Sequence, residues 1–589
     1  MQEGRNAGIM ETKIPRMEYP RPDFERQQWI NLNGEWEFEF DDLNVGEIEK
    51  WYENGAFSKK ILVPFCYQCK LSGINDKGMH ENMWYRREFN VPENFKGKRI
   101  LLNFGAVDYH AKVWINGKFS GEHKGGYSPF KIDITYFANR EVNTIVVKAE
   151  DKYECTQPRG KQYWLEKSDR CWYTPVSGIW QTVWIEPVSN IAFERIKLTS
   201  DIDKRFVRAE IYLDGFKDGL DTEIKVYYKG MQVNRIRTSL AGRISKIVID
   251  IKDVDSVDER YYWSPENPNL FDVEFALFDG EKQIDFVKSY FGMRKISIKG
   301  DMILLNNKPY YQKLILDQGY WPDGLLTAPS DEAIKYDIVM TKKFGFNGAR
   351  KHQKIEDPRY YYWADKLGLL VWGEMPSGYS FNAEEVENIT EEWKEFIKRD
   401  YNHPCIITWV PLNESWGVRN ILVDKNQQYF AMSLYYLIKA LDGTRLISTN
   451  DGWEMVYTDI CGIHDYVASG DDFTRKFTDK IRLLEGAPEG RMLLSDGFSY
   501  KGQPVIVSEY GGIAFDDDSK EHWGYFGPVK DQKSFLKRYS DITNAIKNIP
   551  YIQGYCYTQL TDVFQEINGL MTLDRKAKVD VDEIRKINS

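Results

Sequence analysis

The sequence lacks several features that would each have fixed a function class. Its N-terminal stretch has no apolar run of about 7–15 residues and no small-residue cleavage site, so no secretory leader is expected. Nowhere do roughly 18 apolar residues follow one another, so no membrane span is expected. There is no low-complexity tract, no short internal repeat and no long block of like charge. Neither a Gly-x-Gly-x-x-Gly after a strand nor a GxxxxGK[ST] loop occurs, so no nucleotide cofactor is expected. Basic excess is missing too: 79 Lys and Arg face 89 Asp and Glu, a formal charge of -10. Such a chain has no positive field for a phosphate backbone, which argues against nucleic acid as a partner. Cysteine is sparse and odd in number, seven in all, mostly isolated in apolar strands, which reads as reduced thiols in a cytoplasmic protein. Cys66-Tyr-Gln-Cys69 is a lone pair with neither a second pair for zinc nor a βαβ setting for redox chemistry, and reads as coincidence.

What is present is a foldable mixture: 589 residues, 42% hydrophobic and 29% charged, enough to bury large cores. A length prior suggests about four domains. Aromatics reach 15%, with 18 Trp, 37 Tyr and 31 Phe. They suit pleated strand cores, and they also suit a pocket of flat apolar faces for a sugar.

The patterning divides the chain into three. Residues 1–190 carry short alternating runs, among them Gly34-Glu-Trp-Glu-Phe-Glu-Phe40, Met83–Phe89, Ala111–Ile115, Thr144–Lys148 and Gln181–Ile185, with turn signals such as Asn116-Gly117. This predicts a jelly-roll β-sandwich. Residues 191–297 repeat the alternation on a smaller scale, as in Val207–Leu213, Glu223–Tyr228 and Phe271–Leu277, and predict an immunoglobulin-like β-sandwich. From 298 to 589 apolar strands alternate with helical stretches. Strands are expected at 309–316, 346–351, 368–374, 405–413, 445–450, 457–466, 503–509 and 551–559, with helices at 331–344, 358–367, 390–401 and 427–441. Eight such repeats predict a (β/α)8 TIM barrel.

A barrel of this kind keeps its site at the C-terminal ends of its strands. Strand four finishes on Asn413-Glu414 and strand seven on Glu509. A lone glutamate at a strand end is ordinarily a solvated cap. Two of them, each closing an apolar strand and facing one another across a barrel, make the carboxyl pair that glycoside hydrolysis needs. Other strand ends add Asp317-Gln318, Arg350-Lys-His352, Glu374, Asn450-Asp451, His464-Asp-Tyr466 and, on strand eight, Tyr555, Tyr557 and Gln559, while Trp416 follows Glu414. Their convergence on one rim marks a candidate pocket.

These residues resemble glycoside hydrolase family 2, which includes β-galactosidases, β-glucuronidases and β-mannosidases. The resemblance is carried by Asn31-Leu-Asn-Gly34-Glu-Trp36, Val113-Trp-Ile-Asn116-Gly117 and Gly178-Ile-Trp180-Gln-Thr-Val-Trp184 in front, and by Arg399-Asp-Tyr-Asn402-His403-Pro404 leading to Asn413-Glu414-Ser415-Trp416, then Ser508-Glu509-Tyr510-Gly511. It implies an exo-acting retaining hydrolase with Glu414 as acid/base, Glu509 as nucleophile and Asn413 on the sugar 2-hydroxyl. It implies that Arg350 and Tyr466 hydrogen-bond the nucleophile, and that Tyr557 stacks where many members place a tryptophan. His352, His464, Asp317 and Trp416 are expected around the sugar. β-Glucuronidases of the family use an Asn-x-Lys motif after strand eight; here Asn568 is followed by Gly569 and Leu570, so a β-galactosidase-type, neutral-sugar specificity is expected ahead of glucuronidase, β-mannosidase or furanosidase alternatives. No His/Glu pair matches the magnesium site of the larger β-galactosidases, so neither metal nor cofactor is expected. The partner is a small glycoside or oligosaccharide, and a homo-oligomer is possible. A carbohydrate-binding protein without catalysis is the competing class, but binding alone has no use for the two glutamates in this arrangement.

Overall fold

The computed structural model describes residues 14–251, 261–488, 490–515, 524–525 and 527–589. The predicted front strands all form. They assemble into a four-stranded and a six-stranded antiparallel sheet, and the inward positions of both supply a core that includes Trp36, Phe38, Tyr85, Val113 and Ile185. Alternation is the cause: in Gly34–Phe40 the first, third and fifth residues are buried and the second is exposed. Asn116 and Gly117 both take positive φ, 53° and 79°, which makes the tight turn between His110–Ile115 and Lys118–Lys124. The second sandwich faces a three-stranded sheet with a four-stranded one, over a core of residues such as Val207, Ile224, Phe275 and Phe291.

The barrel supplies its own eight strands: Gln312–Asp317, Gly348–Lys351, Leu370–Glu374, Ile406–Val410, Leu446–Ile447, Cys461–His464, Val505–Gly511 and Ile552–Thr558. They are called strands one to eight below. All ladders are parallel, and the spatial order is five, four, three, two, one, eight, seven, six. That is a barrel opened between strands five and six, and a parallel bridge from Gly452 to Ile463 spans this seam. Strands five and six are shorter than the windows 445–450 and 457–466. The third helix starts earlier than expected, at Ala383, because the Asn382 side chain accepts from the Glu385 amide and caps it there. No helix among the described residues is long and apolar enough to cross a membrane. All seven cysteines are free thiols, and Cys66 and Cys69 are buried where the front sandwich meets the barrel.

One junction sets the base of strand four. Asp365, on helix Pro358–Leu367, accepts from the Cys405 amide at 2.8 Å, from His403 Nδ1 at 2.6 Å and from the Tyr290 hydroxyl of the second sandwich at 2.8 Å. Burial opposes a charge on His403, but Asp365 more than offsets it and the histidine is held above its ordinary range. Asn402 ties the same turn to the second sandwich through the Leu198 amide and the Ile196 carbonyl, both at 2.8 Å. Removing one member of such a buried charged cluster strands the others, at a cost of about 3–5 kcal/mol. Asp365→Ala is therefore expected to lower the urea midpoint sharply, followed by tryptophan fluorescence; an unchanged midpoint would show that the junction does not depend on this carboxylate.

Candidate active site

Strand four carries its apolar run into the barrel and then turns hard. Glu414 and Ser415 both sit in the left-handed region, at φ 53° and 59°, a conformation that costs free energy and needs support. The support is local: the Ser415 amide donates to Asn450 Oδ1 at 2.9 Å, and its hydroxyl donates to Glu454 at 2.6 Å. The turn delivers Glu414 to the pocket with its side chain 16% exposed. Across the barrel Glu509 ends the buried run of strand seven with its side chain 5% exposed. Oxygens of the two carboxyls and a nitrogen of His464 lie within 4.8 Å of one another.

A single guanidinium organises this floor. Arg350, on strand two, is fully buried. Nε donates to Glu374 at 2.8 Å, Nη1 to Glu509 Oε1 at 2.8 Å, and Nη2 to Asn413 Oδ1 at 2.6 Å; Asp451 Oδ2 lies 2.9 Å from Nη1. Burial works against the charge, but Glu374, Asp451 and Glu509 together hold it firmly cationic. Asp451 is in turn kept well below the usual carboxylate range, chiefly by Arg350 working against its burial. Because Asn413 Oδ1 is taken, its Nδ2 is left buried without a partner, a donor available to a bound molecule.

His464 and Tyr466 complete the centre. Both imidazole nitrogens face carboxylates, Nδ1 at 2.7 Å from Glu414 Oε1 and Nε2 at 3.0 Å from Asp451 Oδ2. Burial lowers the histidine, but Glu509, Asp451 and Glu414 push it up to about 10. Arg350 Nη1 lies 3.1 Å from the same Nε2, and the surrounding carboxylates favour the ring's protonated form. Glu414, His464 and Glu509 also have the spacing of a group that could hold a metal ion. The Tyr466 hydroxyl donates to Glu509 Oε2 and lies 3.1 Å from Thr558 Oγ1. His352 joins the rim, 3.9 Å from Glu509 and 3.1 Å from Glu374 Oε1; burial and the nearby Lys161 keep it neutral, far below its ordinary range.

The pocket wall comes partly from the front sandwich. Its 152–177 segment lies against the barrel mouth, where Trp172 packs 5.6 Å from Trp416 and donates through Nε1 to the Tyr379 hydroxyl at 2.8 Å. Tyr379 and Trp416 rings are 5.5 Å apart. Trp416 is thus a wall residue. Tyr173 donates to Glu566 and accepts from Gln318 Nε2 at 2.8 Å, and Gln318 also donates to Gln559 at 2.8 Å.

Two expected residues are not in the pocket. Register pairs Asp317 with Lys351, one position past the row that holds Arg350, so Asp317 faces away from the barrel axis and bonds Lys351 Nζ at 3.0 Å. Tyr557 pairs with Ile315 and Tyr510 in the outward row; it is fully buried, 5.0 Å from the Tyr539 ring of the helix after strand seven. Thr558, the next residue, is the one that strand eight turns toward Tyr466. Glu374 and Asp451, expected on the rim as strand-end groups, lie at the centre on Arg350; two residues were not expected at the site, Lys161 and Glu566, which lie on loops with no periodicity to place them.

With that geometry in hand, the likenesses to known proteins can be placed. Residues 30–186 match "Glycosyl hydrolases family 2, sugar binding domain", residues 191–294 match "Glycosyl hydrolases family 2", and residues 296–589 match "Glycosyl hydrolases family 2, TIM barrel domain". A β-galactosidase of Thermoanaerobacter pseudethanolicus is 27% identical over 67% of this chain and 52% of its own length. A β-glucuronidase of Paenibacillus borealis is 25% identical over 82% of this chain and 83% of its own. The chain spans about half the length, or less, of the β-galactosidase and of two putative β-glucuronidases of Formosa agariphila that it also matches. In fold it is similar to a β-glucuronidase from Ruminococcus gnavus, with a TM-score of 0.79 at 19% identity, covering 98% of this chain and 100% of that one. Three domain types of one family, matched in order along the chain, establish that the protein belongs to glycoside hydrolase family 2.

Proposed function

We propose that the protein is an exo-acting retaining glycosidase that releases a neutral, β-galactoside-type sugar from a non-reducing end. The carrying observation is that oxygens of Glu414 and Glu509 approach within 4.8 Å. Retaining enzymes place their carboxyls about 5–5.5 Å apart, whereas inverting ones leave roughly 6.5–9.5 Å for a water.

In this reading Glu509 attacks the anomeric carbon. Arg350 on one of its oxygens and Tyr466 on the other hold it aimed. Glu414 delivers a proton to the departing oxygen; its Oε1 is held by His464, and no hydrogen bond from a described residue engages its other oxygen. The glycosyl-enzyme is then opened by water, with Glu414 as base. Asn413 Nδ2 supplies the donor for the 2-hydroxyl, a contact that strengthens in the transition state.

Support for a neutral sugar comes from the loop after strand eight. Asn568 donates to Glu566 at 3.0 Å and accepts from Gln559 at 2.7 Å, so its amide is spent internally, and two residues on stands the buried Leu570. One observation favours a second reading, a β-glucuronidase: Lys161 brings a buried ammonium to the pocket.

Nitrophenyl β-galactoside, β-glucuronide, β-mannoside, α-arabinofuranoside and β-galactofuranoside separate these readings, with turnover expected on a neutral glycoside. Glu509→Gln should lower kcat by about 1,000-fold or more, and the first-formed sugar should keep its anomeric configuration by NMR. Full activity of that variant, or an inverted product, would end the retaining assignment. Glu414→Gln should lower kcat about 10²–10⁴-fold, and least for aglycones that leave without a proton. His464 gives a pH signature. Its folded value of about 10 lies above the ordinary 6.5, so its stabilising charge is complete below pH 6.5 and disappears as pH rises through 10. The gap in Tm between the parent and His464→Gln should therefore be widest near pH 6 and close toward pH 10; a gap independent of pH would rule out the imidazolium.

A further inference from the structure

A buried cation at the pocket has no oxygen to hold it. Lys161, on the front-sandwich segment, is 7% exposed. Its ammonium stands 4.8 Å over the Trp416 ring, two residues beyond Glu414, and beside the Cys171 thiol. Among the described residues none offers it an oxygen at hydrogen-bonding distance or a carboxylate in ion-pair contact. An ammonium carries three donors, and no oxygen of a described residue fills them here. Glu566, Glu509 and Glu414 are near enough to favour its charge without bonding it.

The backbone gives Lys161 no room to retreat. The amides of Arg159 and Gly160 donate to the Ser377 carbonyl at 3.0 and 2.9 Å. Gly160 takes φ +60°, and a Cβ there would sit 2.3 Å from the Gln353 carbonyl. Arg159 is itself buried and held by Asp151 at 3.0 Å and Gln157 at 3.1 Å. On the other side Gln565 Nε2 donates to the Arg170 and Trp172 carbonyls at 2.7 and 2.9 Å. A cation that is nearly buried, rigidly placed and short of protein acceptors is organised for something that arrives later.

We propose that Lys161 is a substrate-binding residue that fixes specificity, donating to an oxygen on the terminal sugar, so that the active site is built from two domains. This rests on the reading of the pocket as the glycone site. The same donor chemistry serves a hydroxyl or a C5 carboxylate, and the substrate panel distinguishes the two.

The test compares the parent with Lys161→Met and Lys161→Gln on whichever panel glycoside the parent hydrolyses best. Lys161→Met should lower kcat/KM about 10- to 100-fold, mostly through KM, and Lys161→Gln should recover part of the loss. The Tm of Lys161→Met should change little, because relief of the ammonium's burial offsets its lost attraction to Glu566, Glu509 and Glu414. Unchanged KM in both variants, or a Tm that falls by several degrees with Lys161→Met, would overturn the proposal in favour of a structural lysine. A parent that prefers the uronide would sink the neutral-sugar reading and leave this one standing. Calorimetric binding of galactose and glucuronic acid to Glu509→Gln, with and without Lys161→Met, makes the same comparison without turnover.

Discussion

The centre of this barrel depends on one buried guanidinium. Arg350 has no water to satisfy it, so it must find anionic and carbonyl partners, and it finds Glu374, Asp451, Glu509 and Asn413. Glu374 and Glu509 come from strands three and seven, and Asp451 and Asn413 from the short segments after strands five and four. A planar fork of five donors in fixed directions allows few arrangements of them. The positions of the nucleophile candidate and of the 2-hydroxyl donor are therefore not independent: both are set by the plane of the same group. Asp451 extends the constraint through His464 to Glu414, so that the two carboxyls of the proposed reaction are joined by a continuous charged chain. In a low-dielectric barrel such a chain holds geometry well and tolerates the loss of no member.

The second constraint is that the barrel does not finish its own pocket. Its mouth is closed on one side by a front-sandwich segment whose polar backbone groups are bonded to loops after strands three and eight. This explains why the interface is hydrogen-bonded and tightly fitted at Gly160 rather than merely apolar. A loop that only tethered two domains could drift by an ångström without consequence; one that places Lys161 and Trp172 at the pocket cannot.

Much of this was legible because periodicity carries it. Strand runs gave the three architectures, and the ends of strands four and seven gave Glu414 and Glu509. The misplacements of Asp317 and Tyr557 have a physical cause that a stricter reading would have caught. Side chains alternate across a strand, and parallel neighbours share a face. With Arg350 inward, its row partner Leu316 is inward and Asp317 is not; with Cys556 in the inward row beside Leu314, Tyr557 is outward. A count of parity from one known inward residue decides both. Lys161 and Glu566 are different. They sit on irregular segments, where no period states which way a side chain faces or which domain it meets, and only the assembled structure brings them to the pocket.

The charge of the assembled pocket bears on its substrate. Five carboxyls, those of Glu374, Glu414, Asp451, Glu509 and Glu566, face three cations, Arg350, His464 and Lys161. In the proposed reaction Glu414 begins protonated, and burial holds Glu374 and Glu566 above the ordinary carboxyl range, so the two signs nearly balance. A neutral sugar enters without altering that near-balance. A uronate would add an anion to a pocket that already holds Glu566, whose carboxyl burial raises above its ordinary range and whose acceptors are bonded to Tyr173 and Asn568. To be accepted, the uronate would have to draw on Lys161 alone, while that ammonium still compensates the carboxyls around it. In the proposed reading hydroxyls suit the site, because a hydroxyl can accept from Lys161 and donate toward a carboxylate without changing the charge.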